Sequence, residues 1–306
     1  MTSPETLRLL ELSSRPGLGV GTLRKIVQSA GARRDALFDE VLIDRLTVRT
    51  STAKQNAGAW RRVLDDCEAL AIRILSPLDP EYPANLRSID DFPPLLYVRG
   101  SIRGLSMTGC AVVGTREASR LGLNWARQIA EVVASKEMSV VSGLALGIDA
   151  AAHEGCLKAG GVTIAVLAHG LDRITPTSNR PLSDRILEQG GCLVAEHAPG
   201  VPPVRQEYVR RNRIQSGMAA CSIMVESAEE GGAIHQGNFA TRQGRPLYCV
   251  TPPPGTLGSD EFKYAGAERL AREAKARTIS NRADLEAALG DLDRAHADHN
   301  LPLRLL

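Results

Sequence analysis

The chain has 306 residues, of which 43% are hydrophobic and 24% are charged, a composition typical of globular rather than disordered proteins. The 37 Lys and Arg residues are nearly balanced by 35 Asp and Glu, so the formal net charge is only +2. Overall charge therefore gives no reason to expect nucleic-acid binding, and any such contact has to come from local arginine clusters.

The six cysteines are widely spaced, and none lies within four residues of another, which argues against a paired zinc motif. Most of them lie in or beside apolar runs, where a reduced thiol packs as a small hydrophobic group. No stretch reaches the roughly 18 apolar residues that a membrane helix needs, and the first residues lack a signal-peptide core. We therefore expect a cytoplasmic protein with no membrane partner, bound metal or cofactor.

Residues 1–75 are predicted to form a small all-helical domain of the helix-hairpin-helix or SAM-like type. An apolar stripe around Leu9 precedes a glycine-rich turn at residues 16–21, and the next segment carries Arg24 and Lys25. Backbone N–H groups at such a helix start can hold a phosphate. An ordinary helical hairpin without a ligand explains the same residues, and both interpretations stay open.

Residues 76–290 are predicted to form a Rossmann-like α/β domain that begins after the proline-rich stretch 76–94. Apolar, β-branched runs alternate with helical segments, a pattern typical of an extended, mostly parallel sheet with helices on both faces. The predicted strands are 95–98, 110–113, 139–141, 163–167, 192–195, 222–225 and 247–250, and the predicted helices are 121–136, 149–159, 182–189 and 236–243. Residues 291–306 are predicted to be a short polar tail, whose His296 and His299 we interpret as solvated.

Two glycine-containing loops follow predicted strands at the sheet edge where ligands bind in open α/β folds. The first contains Gly114-Thr115-Arg116, followed by Ser119 and Arg120, and the second runs from Ser142-Gly143 to Asp149. Both offer a hydroxyl group and backbone N–H groups for a phosphate, and Arg116 can bind one with two parallel hydrogen bonds. Tight β–α turns without a ligand explain the same glycines.

A cluster of arginines and a glycine pair complete the candidate site. Four arginines fall between residues 205 and 213, and Glu207 is the single acidic residue among them. Arginine is well suited to bind phosphates and to stack on bases. Gly231-Gly232 follows a predicted strand and can form an anion-binding nest.

These segments resemble the DNA-processing protein A family, also called DprA or Smf. The resemblance covers roughly residues 5–285, and its most specific part is the string Ser142-Gly143-Leu144-Ala145 with Gly147-Ile148-Asp149-Ala150-Ala151-Ala152-His153. Further matches lie at 93–100, 112–116, 159–167, 170–172, 211–214 and 243–245, together with Pro176 and Asn179.

The resemblance implies an extended Rossmann-like fold that binds single-stranded DNA along a basic groove, forms a homodimer and loads a RecA-type recombinase during natural transformation. No catalytic residue is predicted. The predicted nucleic-acid-binding residues are Gly114, Thr115, Arg116, Ser119, Arg120, Ser142, Gly143, Asn179, Arg180, Arg211, Asn212, Arg213, Gly231 and Gly232.

Several residues depart from the family pattern. Leu146 stands where the family usually has arginine, Val209 stands where it has proline, and residues 230–236 replace its usual Ser-Gly-Ser loop. We also expect no C-terminal winged-helix domain. A divergent branch that acts as an antitoxin or in phage defence, with a toxin as partner, is therefore a second hypothesis. A third is a nucleotide-hydrolysing enzyme of the lysine-decarboxylase-like fold, with Glu226 or Glu230 beside Gly231-Gly232.

Overall fold

The computed structural model describes residues 2–32, 34–46, 58–251, 262–273 and 275–299. Within these residues, no helix combines the length and the apolar character that crossing a lipid bilayer requires. The described part of the chain starts with short helices, continues into a nine-stranded sheet, and finishes with a helix.

The first part of the chain is helical, as the apolar stripe predicts. Ser3 begins the first helix by accepting a hydrogen bond from the Thr6 amide, and Leu9, Leu10 and Leu12 are buried. The elements are α1 (Pro4–Ser13), α2 (Val20–Ala32), a 3-10 helix (Arg34–Phe38), α3 (Glu40–Leu46) and α4 (Ala59–Ala69).

The sheet contains every strand that the apolar runs predict, each within two residues of its expected ends. The strands are β1 (Ile72–Leu75), β2 (Leu96–Gly100), β3 (Gly109–Val113), β4 (Ser139–Ser142), β5 (Thr163–Leu167), β6 (Cys192–Ala195), β7 (Cys221–Met224), β8 (Leu247–Val250) and β9 (Arg277–Ile279). Their order is β1-β2-β6-β5-β4-β3-β7-β8-β9. The last seven strands in this order are parallel to one another, whereas β2 is antiparallel to both of its neighbours, β1 and β6.

Helices cover both faces of this sheet. Alternate residues of a strand point to opposite faces and therefore pack in different cores. Ala111 and Val141 pack in the core shared with the N-terminal helices, whereas Cys110 and Val140 pack in the other. The remaining helices are α5 (Ala84–Arg87), α6 (Arg120–Ser135), α7 (Ile148–Lys158), α8 (Arg180–Glu188), α9 (Arg205–Met218), α10 (Gly232–Arg242), α11 (Ala265–Arg272) and α12 (Arg282–His299), with 3-10 turns at Ile102–Ser106 and Thr177–Asn179.

Two predicted domain limits differ from the structure. Strand β1 lies inside the predicted helical domain, yet it pairs with β2 and belongs to the sheet. Its four residues are too few to show a strand period beside a proline-rich stretch. The predicted polar tail from 291 begins inside α12, where Leu292 is still buried, and residues 300–306 lie outside the described part of the chain.

Arg24, which the sequence places at a possible phosphate-binding helix start, instead joins the helical region to the rest of the chain. Its guanidinium donates to the carbonyl oxygens of Phe92 at 2.7 Å and Asp91 at 2.9 Å. Burial is the main reason that its pKa is lowered. Both carbonyl groups receive a charged donor here, so this arginine serves docking and not ligand binding.

We expect Arg24→Ala to lower the free energy of unfolding by about 1.5–3 kcal/mol, because hydrogen bonds from a charged donor are lost to two partly buried carbonyls. Urea denaturation measures the change. Lys25→Ala is the matched control, because Lys25 is exposed on the same helix and should change stability by less than about 0.5 kcal/mol. Equal effects of the two variants would contradict a docking role.

Candidate nucleic-acid interface

A cleft of about 710 Å³ opens at the carboxyl ends of β3, β4 and β7. Val113 lines it from the end of β3, Ala145 from the loop after β4, and Ser227 from the loop after β7. Helices α9 and α10, which pack against each other, supply further walls. This is the edge at which open α/β sheets bind ligands.

The cleft carries an excess of positive charge although the chain as a whole is nearly neutral. Arg116, Arg205, Arg211 and Lys263 line it, against the two carboxyl groups of Glu117 and Asp149. Lys263 Nζ donates to the carbonyl oxygen of Glu117 at 2.9 Å and lies 3.2 Å from its carboxylate. Arg116 and Arg205 are exposed and are therefore available to a polyanion.

An aromatic side chain lies beside these cations. The guanidinium of Arg116 lies over the ring of Tyr208, 5.2 Å from its centroid. Arg205, Tyr208 and Asn212 are spaced three and four residues apart in α9, so they share one helix face, and all line the cleft. A cationic plane stacked on an aromatic ring is a surface on which a base can also stack.

The N-terminus of α10 opens into the cleft through Gly231, Gly232 and Ala233. Gly231 caps the helix without a side-chain hydrogen bond. A side chain at this position would meet Ser227 Oγ at 2.5 Å, which accounts for the glycine. A helix start without a side-chain cap presents backbone N–H groups and the positive end of the helix dipole to an anion.

The first glycine-containing loop uses its backbone differently from the sequence-based expectation. The Thr115 amide donates to the carbonyl oxygen of Glu226 at 2.8 Å, and the Glu117 amide donates to Thr115 Oγ1 at 3.2 Å. A side chain on Gly114 would meet Ile148 at 2.5 Å, so this glycine serves internal packing. What the loop offers to a ligand is therefore the side chains of Thr115 and Arg116.

Glu226 holds the start of α6 in place. This fully buried carboxylate accepts hydrogen bonds from the amide and hydroxyl of Ser119, at 3.0 and 3.1 Å, and from the Lys263 amide at 2.9 Å. Ser119 Oγ also accepts from the Gly122 amide at 3.0 Å. Ser119 is thus committed to internal bonds, and Arg120 is exposed at the first position of α6 without lining the cleft.

The second loop is shaped by its own motif residues. Ser142 Oγ donates to the Val112 carbonyl at 2.7 Å, and the Gly143 amide donates to Asp149 at 3.1 Å. Leu144 has a positive φ of 57°, a conformation that the neighbouring contacts have to hold. Asn179 Nδ2 donates to the carbonyl oxygens of Leu144 and Ala145, at 2.9 and 3.2 Å. Ser142, Gly143 and Asn179 therefore fix the loop conformation and do not themselves line the cleft.

Arg211 connects this loop to the sheet through hydrogen bonds. Its guanidinium donates to the carbonyl oxygens of Gly143 and Val166. Burial lowers the pKa of Arg211 to about 10, and burial also raises the pKa of Asp149, which the nearby Arg211 charge opposes. A side chain at Gly143 would collide with this guanidinium, so the glycine of the motif is required by Arg211.

The other residues of the predicted arginine cluster point in different directions. Arg213 is buried and pairs with Glu196 and, at 3.6 Å, with Asp91, so it is not available to a phosphate as the sequence suggests. Arg210 is exposed and pairs with Glu207. Asn212 lines the cleft. Helical geometry is the reason, because consecutive residues of α9 point to different sides.

Two remaining features lie outside the cleft. Arg180 is exposed beside a separate pocket of about 90 Å³, which Asp172, Arg173 and Asp184 also line. Glu196, His197 and Glu207 bring three potential metal-ligand atoms within 4.8 Å of one another. Because Arg213 and Arg210 already neutralise the two carboxylates, this group is better described as an ion-pair network.

The sequence-based analysis missed several residues that line the cleft: Tyr208, Lys263, Gln215 and Gln236. A helical reading of residues 205–218 would have found Tyr208 and Gln215, since they recur with Arg205 and Arg211 at spacings of three and four. Lys263 follows a segment outside the described residues, and nothing in the local sequence connects it to this edge of the sheet.

Comparison with known families supplies the context for this geometry. The family model described as DNA recombination-mediator protein A matches residues 73–290. The DNA processing protein DprA of Streptococcus pneumoniae is 31% identical over 259 residues, which cover 84% of each chain. The chain belongs to this family. The resemblance inferred from the motifs is confirmed, and the family is described as a recombination mediator, not by a catalytic activity.

Solved structures agree with the fold. The crystal structure of the Streptococcus pneumoniae protein matches with a TM-score of 0.73 at 26% identity, covering 94% of this chain and 98% of that one. DNA processing protein A of Helicobacter pylori matches with a TM-score of 0.63 at 23% identity, covering 72% and 96%. Protein Smf of Escherichia coli is 40% identical over 187 residues, and the chain spans about half the length of that relative.

Proposed function

We propose that the chain binds single-stranded DNA in the cleft at the carboxyl edge of its sheet. The observation that carries the proposal is the convergence there of exposed Arg116 and Arg205, Lys263, the ring of Tyr208 and the uncapped start of α10. The cations and the helix start suit phosphates, and the ring suits an unstacked base. The solved Helicobacter pylori relative is described by its mode of binding single-stranded DNA.

The fourteen residues predicted from the sequence fall into three groups in this proposal. Thr115, Arg116, Asn212, Gly231 and Gly232 would contact the strand directly, because they line the cleft. Gly114 and Arg211 also line the cleft, but internal packing and hydrogen bonds engage them, so they would act indirectly by shaping its walls, as would Ser119, Ser142, Gly143, Asn179 and Arg213. Arg120 and Arg180 are exposed outside the cleft and could contact only a strand that extends beyond it.

We expect Arg116→Ala and Arg205→Ala each to weaken binding of single-stranded DNA about tenfold, because a contact with a charged donor is worth about 1.5 kcal/mol. Fluorescence anisotropy with a labelled oligonucleotide measures the change. Arg242→Ala is the matched control: it removes an exposed arginine from the opposite end of α10, and we expect no effect. Binding unchanged in both cleft variants would contradict the proposal.

The proposed cellular role follows the family description as a recombination mediator. A homodimer that passes its bound strand to a RecA-type recombinase, as in natural transformation, agrees with that description. RecA filament formation on the strand, measured with and without the chain, tests this step. Reduced or unchanged filament formation would favour the antitoxin or phage-defence alternative, for which a stable complex with a toxin is the expected result.

The enzyme hypothesis receives no support from the geometry. Glu226 is fully buried and engaged by Ser119 and Lys263, so it cannot reach a substrate without breaking the start of α6. Glu230 is exposed and lies outside the cleft lining. The hypothesis would regain support if the chain released free base from a nucleotide.

A further inference from the structure

Two glutamines on the floor of the cleft carry hydrogen-bonding groups that the fold leaves unused. Gln215 of α9 and Gln236 of α10 both line the cleft, and each is only 1% exposed. The Nε2 atom of each side chain is buried and has no hydrogen-bond partner among the residues that the structure describes. Arg211, one helical turn before Gln215, adds an unpartnered Nε. A buried donor without a partner costs about 1–3 kcal/mol, so these residues call for a functional explanation.

A glutamine at the C-cap of α10 shows how the fold treats a purely structural amide. Gln243, at the end of α10, donates through Nε2 to the Arg213 carbonyl at 2.9 Å and accepts through Oε1 from Ser216 Oγ at 2.7 Å. Its amide is satisfied on both sides. The contrast indicates that Gln215 and Gln236 are placed for a ligand that enters the cleft.

The dimensions and charges of the cleft indicate what that ligand presents. Its volume of about 710 Å³ is that of a pocket for a whole small molecule, larger than a single phosphate needs. Exposed Arg116 and Arg205 suit the phosphate, whereas the glutamines are buried. A nucleobase combines a flat body with an edge of carbonyl oxygens and ring nitrogens that accept hydrogen bonds, and proteins read unstacked bases through that edge.

We infer that the cleft takes one nucleotide of the bound strand with its base inward, and that Gln215 and Gln236 hydrogen-bond the edge of that base. This inference rests on the proposed function and deepens it. The backbone of the strand lies against Arg116, Arg205 and the start of α10, and Tyr208 supplies a ring beside the entering base. Affinity then depends on whether a base is present and not only on phosphate charge.

The test compares strands that differ only in their bases. Anisotropy titrations use oligonucleotides of one length made of thymine, cytosine or adenine, and a fourth with abasic sites throughout its central segment. We expect the parent chain to bind its preferred homopolymer at least about tenfold more tightly than the abasic strand, as expected for one or two hydrogen bonds. Gln215→Leu and Gln236→Leu should lose most of that difference and keep the affinity for the abasic strand.

Thermal denaturation distinguishes a glutamine that recognises a base from one that stabilises the fold. Removing an unpaired buried donor should leave Tm unchanged or higher, whereas a structural glutamine should lower Tm when replaced. Gln206→Leu, exposed on α9, is the matched control for binding. Gln215→Met and Gln236→Met, which keep an unbranched side chain, serve if a leucine variant does not fold.

The possible results distinguish base reading by the glutamines from strand binding in the cleft. Equal affinity of the parent for base-bearing and abasic strands, with Arg116→Ala still weakening both, overturns base reading and leaves strand binding intact. A base preference that survives in both glutamine variants also overturns the inference. Failure of the parent to bind any strand overturns both.

Discussion

Arg211→Ala should unfold most readily of all the variants considered, with the free energy of unfolding lowered by about 3–5 kcal/mol. Arg211 donates to the carbonyl oxygens of Gly143 and Val166 and provides the positive charge opposite Asp149. Its removal takes the nearby positive charge away from the buried Asp149 carboxyl group and the Nη1 donor away from two carbonyl groups. Denaturant unfolding followed by circular dichroism measures the loss.

Two further variants define this prediction. Arg211→Lys should recover part of the loss, because both carbonyl groups accept from the single nitrogen Nη1 and an ammonium group also carries several donors. Arg210→Ala is the matched control. Arg210 is the exposed neighbour of Arg211 and pairs with Glu207 at the surface, so we expect a change in stability below about 0.5 kcal/mol. If Arg211→Ala were as stable as Arg210→Ala while binding DNA less tightly, Arg211 would be a direct ligand contact and not a support.

Glu226→Ala should have the second-largest effect, a loss of about 3 kcal/mol, because two amides and a hydroxyl lose their acceptor at once. The donors come from Ser119 at the start of α6 and from Lys263, so the substitution loosens two walls of the cleft together. Chemical denaturation gives the stability, and strand affinity is measured on the fraction that remains folded.

We expect the stability to depend on the carboxylate oxygens of Glu226 more than on the size of its side chain. Glu226→Gln keeps one acceptor and should lose less stability than alanine, whereas Glu229→Ala, at an exposed position three residues on, should lose almost none. A normal stability for Glu226→Ala would show that water replaces the carboxylate, and the account of the α6 start would be wrong.

The strands and the parallel character of the sheet could be predicted because their signal is local. Continuous apolar runs such as 163–167 mark strands buried on both faces, and the helices between them have their own period. Strand β9 and helix α9 were missed for the opposite reason. Residues 277 and 278 are exposed, and α9 is polar along most of its first two turns, so neither shows a clear apolar period.

The sequence predicts the edge of the sheet at which the cleft lies, but not the roles of the residues around it. The sequence places glycine loops and arginines at one edge of the sheet, and the cleft lies there. It does not show that the amides of Thr115 and Gly143 have internal acceptors, or that Arg211 and Arg213 point inward. Such partners come from segments distant in the chain, and only the folded structure brings them together.

The motif that identifies the family is explained largely by the shape of one loop. Gly143 makes room for Arg211, Asp149 accepts from the Gly143 amide, and His153 binds Thr163 Oγ1 at 2.6 Å. Burial lowers the pKa of His153 to about 3, so it remains neutral and serves packing. The motif that identifies the family therefore consists largely of supporting residues, whereas the strand binding proposed above relies on side chains outside that motif.

The salt dependence of strand affinity shows whether the cations of the cleft bind the phosphate backbone. Each phosphate contact with single-stranded DNA contributes about 0.7 to the slope of log K against log salt concentration. The triple variant Arg116→Ala, Arg205→Ala, Lys263→Ala should therefore show a slope shallower by about 2 than that of the parent, with Arg242→Ala unchanged. An identical slope for parent and triple variant would show that the strand binds elsewhere on the molecule.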